Sequence, residues 1–267
     1  MSENYIVQKQ IGSGSFGRVY QCSKTDTKEK YAMKRLIKDS YFNKEIDILK
    51  AISGKHNNIC SIVELINNAK ETCIIMPLYK ENLYQYRTKL QVIDKSIARK
   101  FTLDLLNGLS FFKSINLIHG DLKPENIMVT DDKHLVIIDF GSSNFIKDLN
   151  TYIDSSKIEY FQSRYYRSPK IILRFKLIDY SIDMWSLGCI LYEMITNNPI
   201  FMGQGTKKRH SNNQLLLYVD FLGIPKNSFL DKSRNAEKYF KKIYEVDGTY
   251  EYDLKCKELL IDGEKQP

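Results

Sequence analysis

His119-Gly120-Asp121-Leu122-Lys123-Pro124-Glu125-Asn126 is followed, thirteen residues after Asn126, by Asp139-Phe140-Gly141. The first stretch puts an acid, a lysine and an amide in one short loop, and the second adds another acid downstream. A carboxylate can align a hydroxyl, and an amide with a second carboxylate can hold magnesium on a nucleoside triphosphate. Phosphoryl transfer needs little else from a protein, because positioning and charge neutralisation supply most of the catalysis.

Two further stretches lie upstream: Gly12-Ser13-Gly14-Ser15-Phe16-Gly17-Arg18-Val19 and Tyr31-Ala32-Met33-Lys34. A glycine triplet alone is ambiguous, since it also suits a dinucleotide fold. Four motifs in this order within about 130 residues are specific. Together they resemble the eukaryotic protein kinases, which read G-x-G-x-x-G-x-V, V-A-I-K, H-R-D-L-x-x-x-N and D-F-G. Gly120 stands where that family usually carries arginine. The resemblance implies an α+β, bilobal kinase-like fold. Residues 1–79 would form a β-rich small lobe with the glycine loop, the sheet and the first long helix. Residues 80–267 would form a helical large lobe with the catalytic loop, the activation segment and a shortened C-terminal end. Nucleotide would lie between the lobes.

Composition narrows the class. At 267 residues and 43% hydrophobic the chain can bury a substantial core. The formal charge of +8 suits a protein that handles phosphates and acidic partners. No basic stripe interleaved with aromatics stands out, which speaks against a nucleic-acid partner. Lys207-Lys208-Arg209-His210 reads as a solvated loop, with a nuclear import signal as the alternative. Cys22, Cys60, Cys73, Cys189 and Cys256 contain no C-x-x-C pair, so neither a disulfide framework nor a zinc site is expected. The amino terminus is polar, and no apolar run approaches the roughly 18 residues that span a bilayer. The expectation is a soluble protein of the cytoplasm or nucleus.

Periodicity places the motifs. Residues 5 to about 37 read as three strands around the glycine loop, and residues 41–52 as a helix with Ile46, Leu49 and Ile52 on its core side. Two strands are expected at Ile59–Leu65 and Thr72–Leu78. Beyond residue 80 the pattern turns helical. Phe101, Leu105, Leu109 and Phe112 form one broad apolar face, and Ile178–Thr196 reads as a buried helix.

What the resemblance assigns can be carried over residue by residue. Gly12, Gly14 and Gly17 would cover the phosphates of ATP, with Ile11, Val19 and Ala32 around the base. Lys34 would meet the α- and β-phosphates, oriented by Glu45; a solvated helix residue is the alternative for Glu45. Asp121 would take the substrate hydroxyl's proton, Lys123 would steady the transferring group, and Asn126 and Asp139 would bind Mg2+. The placing of Lys123 is like that of serine/threonine kinases. His119 reads as a structural core histidine. Met76 falls at the gatekeeper position. Pro77 would offer adenine its carbonyl, and Tyr79 its N–H; a plain strand terminator is the other reading of Pro77.

Tyr160-Phe161-Gln162-Ser163-Arg164-Tyr165-Tyr166-Arg167-Ser168-Pro169 resembles the activation segment of the CMGC group, nearest the dual-specificity tyrosine-regulated and homeodomain-interacting branches. Asp139–Ser143 and Leu222-Gly223-Ile224-Pro225 agree with that branch. The likeness implies autophosphorylation of Tyr160, whose phosphate would pair with Arg164 and Arg167. A packed aromatic is the alternative for Tyr160. Two departures stand out. Lys170 occupies the position of a glutamate that normally pairs with an arginine on a late helix, and the usual final helices are not evident before Pro267. Missing helices would expose part of the large-lobe core, inviting a partner that covers it or lowering stability. The leading reading is an ATP- and magnesium-dependent serine/threonine protein kinase acting on protein substrates, with proline after the target residue as an open option. A catalytically weak pseudokinase that binds nucleotide as a scaffold is the alternative, and a small-molecule kinase a weaker one.

Overall fold

The computed structural model of the protein describes residues 4–14, 17–37, 42–68, 71–151, 158, 161–202 and 210–255. They fold as two compact units. One is Met1–His119 with Pro124–Asn144, and the other is Gly120–Lys123 with Phe145–Pro267. The class is α+β.

The first unit is built on a five-stranded antiparallel sheet. Its strands are β1 (Tyr5–Gly14), β2 (Gly17–Lys24), β3 (Lys30–Leu36), β4 (Glu64–Asn67) and β5 (Thr72–Pro77), in the order β1-β2-β3-β5-β4. Alternation along each strand sends residues to opposite faces. Tyr5, Cys22, Met33, Cys73 and Ile75 form a buried cluster on one face. Register pairs Val19 with Lys34 and Ala32 with Met76, so these four residues share the other face. Helix α1 (Phe42–Ile52) buries Ile46, Ile48, Leu49 and Ile52. This is the side that the spacing predicts.

The strand expected from Ile59 begins only at Glu64. Ile59 and Cys60 instead run beside β9 (Leu135–Ile137). Cys60 donates its N–H to Ile137, and Ile137 donates its own to Asn58. Burial of both apolar side chains there outweighs extension of the sheet.

The sheet ends at Pro77, and helices follow from Leu83. Asn82 and Gln85 cap α2 (Leu83–Leu90) reciprocally, and Asp94 caps α3 (Lys95–Ser114). The apolar face of α3 is buried through Phe101, Leu105, Leu109 and Phe112, as expected. Both helices belong to the first compact unit, with the strands β6 (Glu81–Asn82), β8 (Ile127–Val129) and β9. Strand β7 (Leu117–Ile118) leads into His119, and the two-residue strand β10 (Asn144–Phe145) comes after the Asp139 segment.

The second unit is mostly helical: α4 (Ile146–Thr151), α5 (Pro169–Ile172), α6 (Ser181–Thr196), α7 (His210–Leu222), α8 (Asn227–Leu230) and α9 (Ala236–Tyr239). Helix α6 starts at Ser181 rather than near Ile178, because the Asp179 carboxylate accepts the Ser181 N–H and fixes the start there. After α9 comes an antiparallel hairpin, β11 (Phe240–Tyr244) and β12 (Tyr250–Leu254), where sequence reading saw only a loop region. Among the described residues no helix is long and apolar enough to cross a membrane.

Candidate active site

The shared face of β2, β3 and β5 is one wall of a cavity of about 920 Å³ inside the first unit. Ile11, Val19, Ala32 and Met76 make it apolar, and Pro77 and Tyr79 continue it beyond the end of the sheet. Gly12, Gly14 and Gly17 line it from the β1–β2 turn. At Gly17 a side chain is sterically excluded, since a Cβ would lie 2.3 Å from the Arg35 carbonyl oxygen. Burial raises the Tyr79 phenol and pushes the Cys60 thiol up to about 12, so Cys60 is a neutral wall rather than a nucleophile.

Lys34, Glu45, Asn126 and Asp139 also line this cavity. The Lys34 ammonium lies 2.5 Å from Glu45 Oε1 and 2.8 Å from Asp139 Oδ1. Lys34 is 7% exposed and Glu45 5%, so this is a buried pair and not a solvated helix residue. Burial pulls the Lys34 pKa down, but the charges and hydrogen bonds of Asp139 and Glu45 outweigh it and the net shift is upward. For Asp139, burial pushes the pKa up, but the charge and hydrogen bond of Lys34 reverse that and leave it below the usual carboxylate value. Lys34 and Asp139 are therefore charged at neutral pH.

Backbone strain and backbone bonding fix the two oxygen donors. Asp139 sits at φ +63°, a conformation that is costly for a residue with a side chain and that clusters at functional sites. Asn126 closes a single turn, Pro124–Asn126, and its carbonyl accepts the Ile138 N–H at 3.0 Å. His119 is fully buried, with Nε2 3.0 Å from the Ile138 carbonyl, and its own carbonyl accepts the Ser143 hydroxyl. Its rings are Phe112 and Phe140. This is the structural histidine that the sequence suggests.

Sequence reasoning missed Lys44 and Asn144. The Lys44 ammonium, beside Glu45 on α1, donates to Asn144 Oδ1, and Asn144 donates to the Ser142 carbonyl at 2.8 Å. The helix carrying Glu45 is thereby tied to the segment that follows Asp139. Neither residue belongs to a motif, so only the fold could reveal the pair.

In the second unit Asp121 is the centre of a small network. Oδ2 accepts from the Lys123 ammonium at 2.7 Å and Oδ1 from the Ser163 N–H at 3.0 Å, while Lys123 also donates to Ser163 Oγ at 3.0 Å. Ser163 is thus a further member of this network. Gly120 lies at φ +78°, and its N–H donates to Asp183 Oδ1 at 3.0 Å. That conformation favours glycine over the arginine usual in the family. Asp183 is 3% exposed on α6, and an acid within so apolar a helix was the signal that could have found it.

The segment after Ser163 is anchored by Gln162, which is buried and donates to the Ile182 carbonyl and Ser186 Oγ while accepting from the Ser168 N–H. Arg167 Nη2 donates to the Gln162 carbonyl at 2.8 Å. Arg164 opens the short turn Arg164–Tyr166. Tyr160 and Lys207–Arg209 lie outside the described residues.

The donor chemistry of the first unit fits a magnesium nucleotide. Magnesium takes hard oxygen ligands and is typically held by one or two carboxylates together with substrate phosphates. Asn126 and Asp139 supply such oxygens on a cavity that also presents the Lys34 charge.

The protein kinase domain family matches residues 5–262. Serine/threonine-protein kinase ppk15 of Schizosaccharomyces pombe is 32% identical over 264 residues, covering 94% of this chain and 47% of the relative. Dual specificity protein kinase YAK1 of Saccharomyces cerevisiae is 35% identical over 259 residues, covering 91% and 30%. Homeodomain-interacting protein kinase 1 of Caenorhabditis elegans is 32% identical over 254 residues, covering 90% and 28%. The chain spans less than half the length of each of these three relatives. With four ordered motifs, a buried lysine–glutamate pair and a match over nearly its whole length, the chain belongs to the protein kinase family, and its similarity is to the CMGC kinases of the dual-specificity tyrosine-regulated and homeodomain-interacting type.

Proposed function

We propose that this protein transfers the γ-phosphate of ATP to serine and threonine hydroxyls of protein substrates, and to its own Tyr160. The observation that carries this reading is the Lys34 ammonium held between Glu45 and Asp139 at the cavity wall. Burying a lysine is costly, and the two acids fix both its charge and its direction. That is what a group aimed at phosphate oxygens requires.

Ile11, Val19, Ala32 and Met76 would enclose the adenine, with the Pro77 carbonyl and Tyr79 N–H as its polar partners. Asn126 and Asp139 would hold Mg2+, which when bound neutralises phosphate charge. Asp121 would accept the proton of the attacking hydroxyl as its oxygen bonds to the γ-phosphorus and the bond to the β-phosphate oxygen breaks, leaving ADP. Lys123, already within hydrogen-bond distance of Asp121, would steady the equatorial oxygens of the group in transit. Ser163 would keep Asp121 and Lys123 aligned. A proline after the target residue is part of the proposal, from the likeness to CMGC kinases. The reading is tested by transfer of labelled phosphate from ATP to a serine/threonine peptide set, compared between the protein and its Lys34→Met and Asp121→Asn variants. Transfer lost in both supports it, whereas transfer unchanged in either rules out the role given to that residue.

A further inference from the structure

The β11–β12 hairpin has one covered edge and one open edge. Its ladder runs from Phe240 opposite Leu254 to Tyr244 opposite Tyr250, and among the described residues no third strand joins it. The bonds at its two ends fix which backbone groups point inward. Lys255 donates its N–H to the Tyr239 carbonyl, and Glu245 donates its own to Thr249. Hydrogen-bonded pairs alternate along an antiparallel ladder, so Lys241 bonds Asp253 and Ile243 bonds Glu251. The N–H and carbonyl groups of the residues between them point outward. On β12 this edge is covered, since the Tyr250 carbonyl accepts from Asn227 Nδ2 of α8 at 2.6 Å. On β11 the outward groups of Lys242 and Tyr244 have no hydrogen-bond partner among the described residues. Ile243 is 45% exposed, Tyr244 68%, and Val246 in the turn is fully exposed.

Proteins blunt such edges with proline, a bulge or unpaired charge. Strand β11 has no proline and no register shift. Its two lysines are each neutralised within the chain: Lys241 lies 3.4 Å from Asp253, and Lys242 3.3 Å from Asp231. The exposed Glu245 carboxylate forms no ion pair among the described residues.

We propose that β11 pairs antiparallel with β11 of a second copy of this chain, about a twofold axis at Ile243. A strand that pairs with itself makes an isologous contact, which closes at two copies. The outward groups of Lys242 and Tyr244 must face each other or themselves, which leaves three axes. An axis at Lys242 sets two lysines opposite one another, which is destabilising. An axis at Tyr244 sets Ile243 against Glu245, and Lys241 against the turn, where Asp247 already accepts from Thr249. An axis at Ile243 sets Lys241 opposite Glu245 twice and Ile243 opposite itself. It also bonds Lys242 of each copy to Tyr244 of the other, beside the Tyr250 ring that the Lys242 ammonium already overlies at 4.2 Å. This register alone gives charge complementarity at both ends and an apolar centre. One strand pair buries less than the roughly 1,600 Å² of a standard interface, so the dimer is weak and concentration-dependent. The pairing does not rest on phosphotransfer.

The test is sedimentation of the full chain from about 1 μM to about 1 mM, beside Tyr244→Pro, Glu245→Lys and Lys241→Glu, each checked for folding by thermal unfolding. Proline at position 244 removes an N–H that the hairpin itself does not use. The expected result is a monomer–dimer equilibrium in the parent chain and no dimer in Tyr244→Pro. Each charge variant should dissociate roughly tenfold or more readily, because two opposite-charge pairs become like-charge pairs. Mixing the two charge variants should recover the dimer, because the two lysines of one strand then face the two acids of the other. A parent chain that is monomeric throughout, a dimer that persists in folded Tyr244→Pro, or a mixture no tighter than its parts overturns the proposal. Should Lys241→Glu not fold, because its new acid faces Asp253, Glu245→Lys alone must weaken the dimer. A fluorescent extended peptide of alternating valine and threonine is titrated in parallel by anisotropy. Its binding to a parent chain that stays monomeric would assign the edge to a foreign strand and overturn self-pairing.

Discussion

The Lys170 ammonium donates to both carboxylate oxygens of Asp179, each at 2.9 Å. A lysine thus stands at a position where the family motif carries a glutamate, and it finds its acid nine residues away. The same carboxylate accepts the Ser181 N–H at the start of α6. The ammonium also lies over the Phe175 ring, 5.1 Å from its centroid. One ion pair therefore closes the loop between α5 and α6 and fixes where α6 begins.

Charge reversal checks this latch. Lys170→Glu should lower stability by about 1 kcal/mol, since Asp179 is partly exposed and solvent screens the pair. The exchange of both charges, Lys170→Asp with Asp179→Lys, should recover part of that loss in a denaturant titration. Equal stability of the single variant and the parent protein would contradict the latch.

Breaking the Lys34–Glu45 pair should do more. Lys34→Met leaves Glu45 and Asp139 without their counter-charge, at a cost of about 3 kcal/mol, and should remove activity by roughly 100-fold or more. The double variant Lys34→Met with Glu45→Leu should regain stability but not activity. Recovery of phosphotransfer by the double variant would show that the lysine has no part in handling phosphate.

The pH dependence follows from the direction of the two shifts. The Asp139 pKa is depressed in the folded protein, so its contribution is present above the ordinary carboxylate value of about 4 and lost as pH falls through the folded value. The Lys34 pKa is raised, so its contribution is present below the ordinary lysine value of about 10 and lost as pH rises through the folded value. The difference in melting temperature between the protein and Lys34→Met should therefore be largest in mildly alkaline solution and shrink as pH falls, because without Lys34 burial raises the Asp139 carboxyl and protonation then relieves the variant. A difference that stays constant as pH is lowered to about 4 would mean that Lys34 and Asp139 are not a charged pair as described.

The Lys44–Asn144 contact should act on positioning. Asn144→Ala should lower kcat several-fold while the KM for peptide stays constant, because Glu45 and Asp139 lose a shared tether. Asn144→Asp keeps an acceptor for the ammonium and should restore most of the rate. A fall in thermal stability with kcat unchanged would reduce the contact to a structural one.

Much of this was legible in the sequence, and the parts that were not have physical reasons. Glycine spacing and the alternation of Tyr31 to Leu36 gave the strands, because a period of two is set by local geometry. Lys34, Glu45 and Asp139 were readable because each sits in or beside a motif. The start of β4 was misplaced because Ile59 and Cys60 are buried against β9 rather than in the sheet, a competition between two long-range partners. The β11–β12 hairpin carried a local signal that went unread: alternating Phe240 to Tyr244, then Asp247-Gly248 as turn residues. Ser163, Lys44 and Asn144 depend on contacts between distant parts of the chain, which no local pattern reports.

The central claim is that the network around Asp121 performs phosphotransfer. Purified protein and its Asp121→Asn variant are each incubated with ATP and Mg2+, then followed by intact mass, phosphosite mapping and transfer to a serine/threonine peptide. The expected result is phosphate on Tyr160 and on peptide serine or threonine in the parent protein, reduced at least about 100-fold in the variant. A folded, nucleotide-binding parent protein that transfers no phosphate, or a variant that transfers as well as its parent, would contradict the claim.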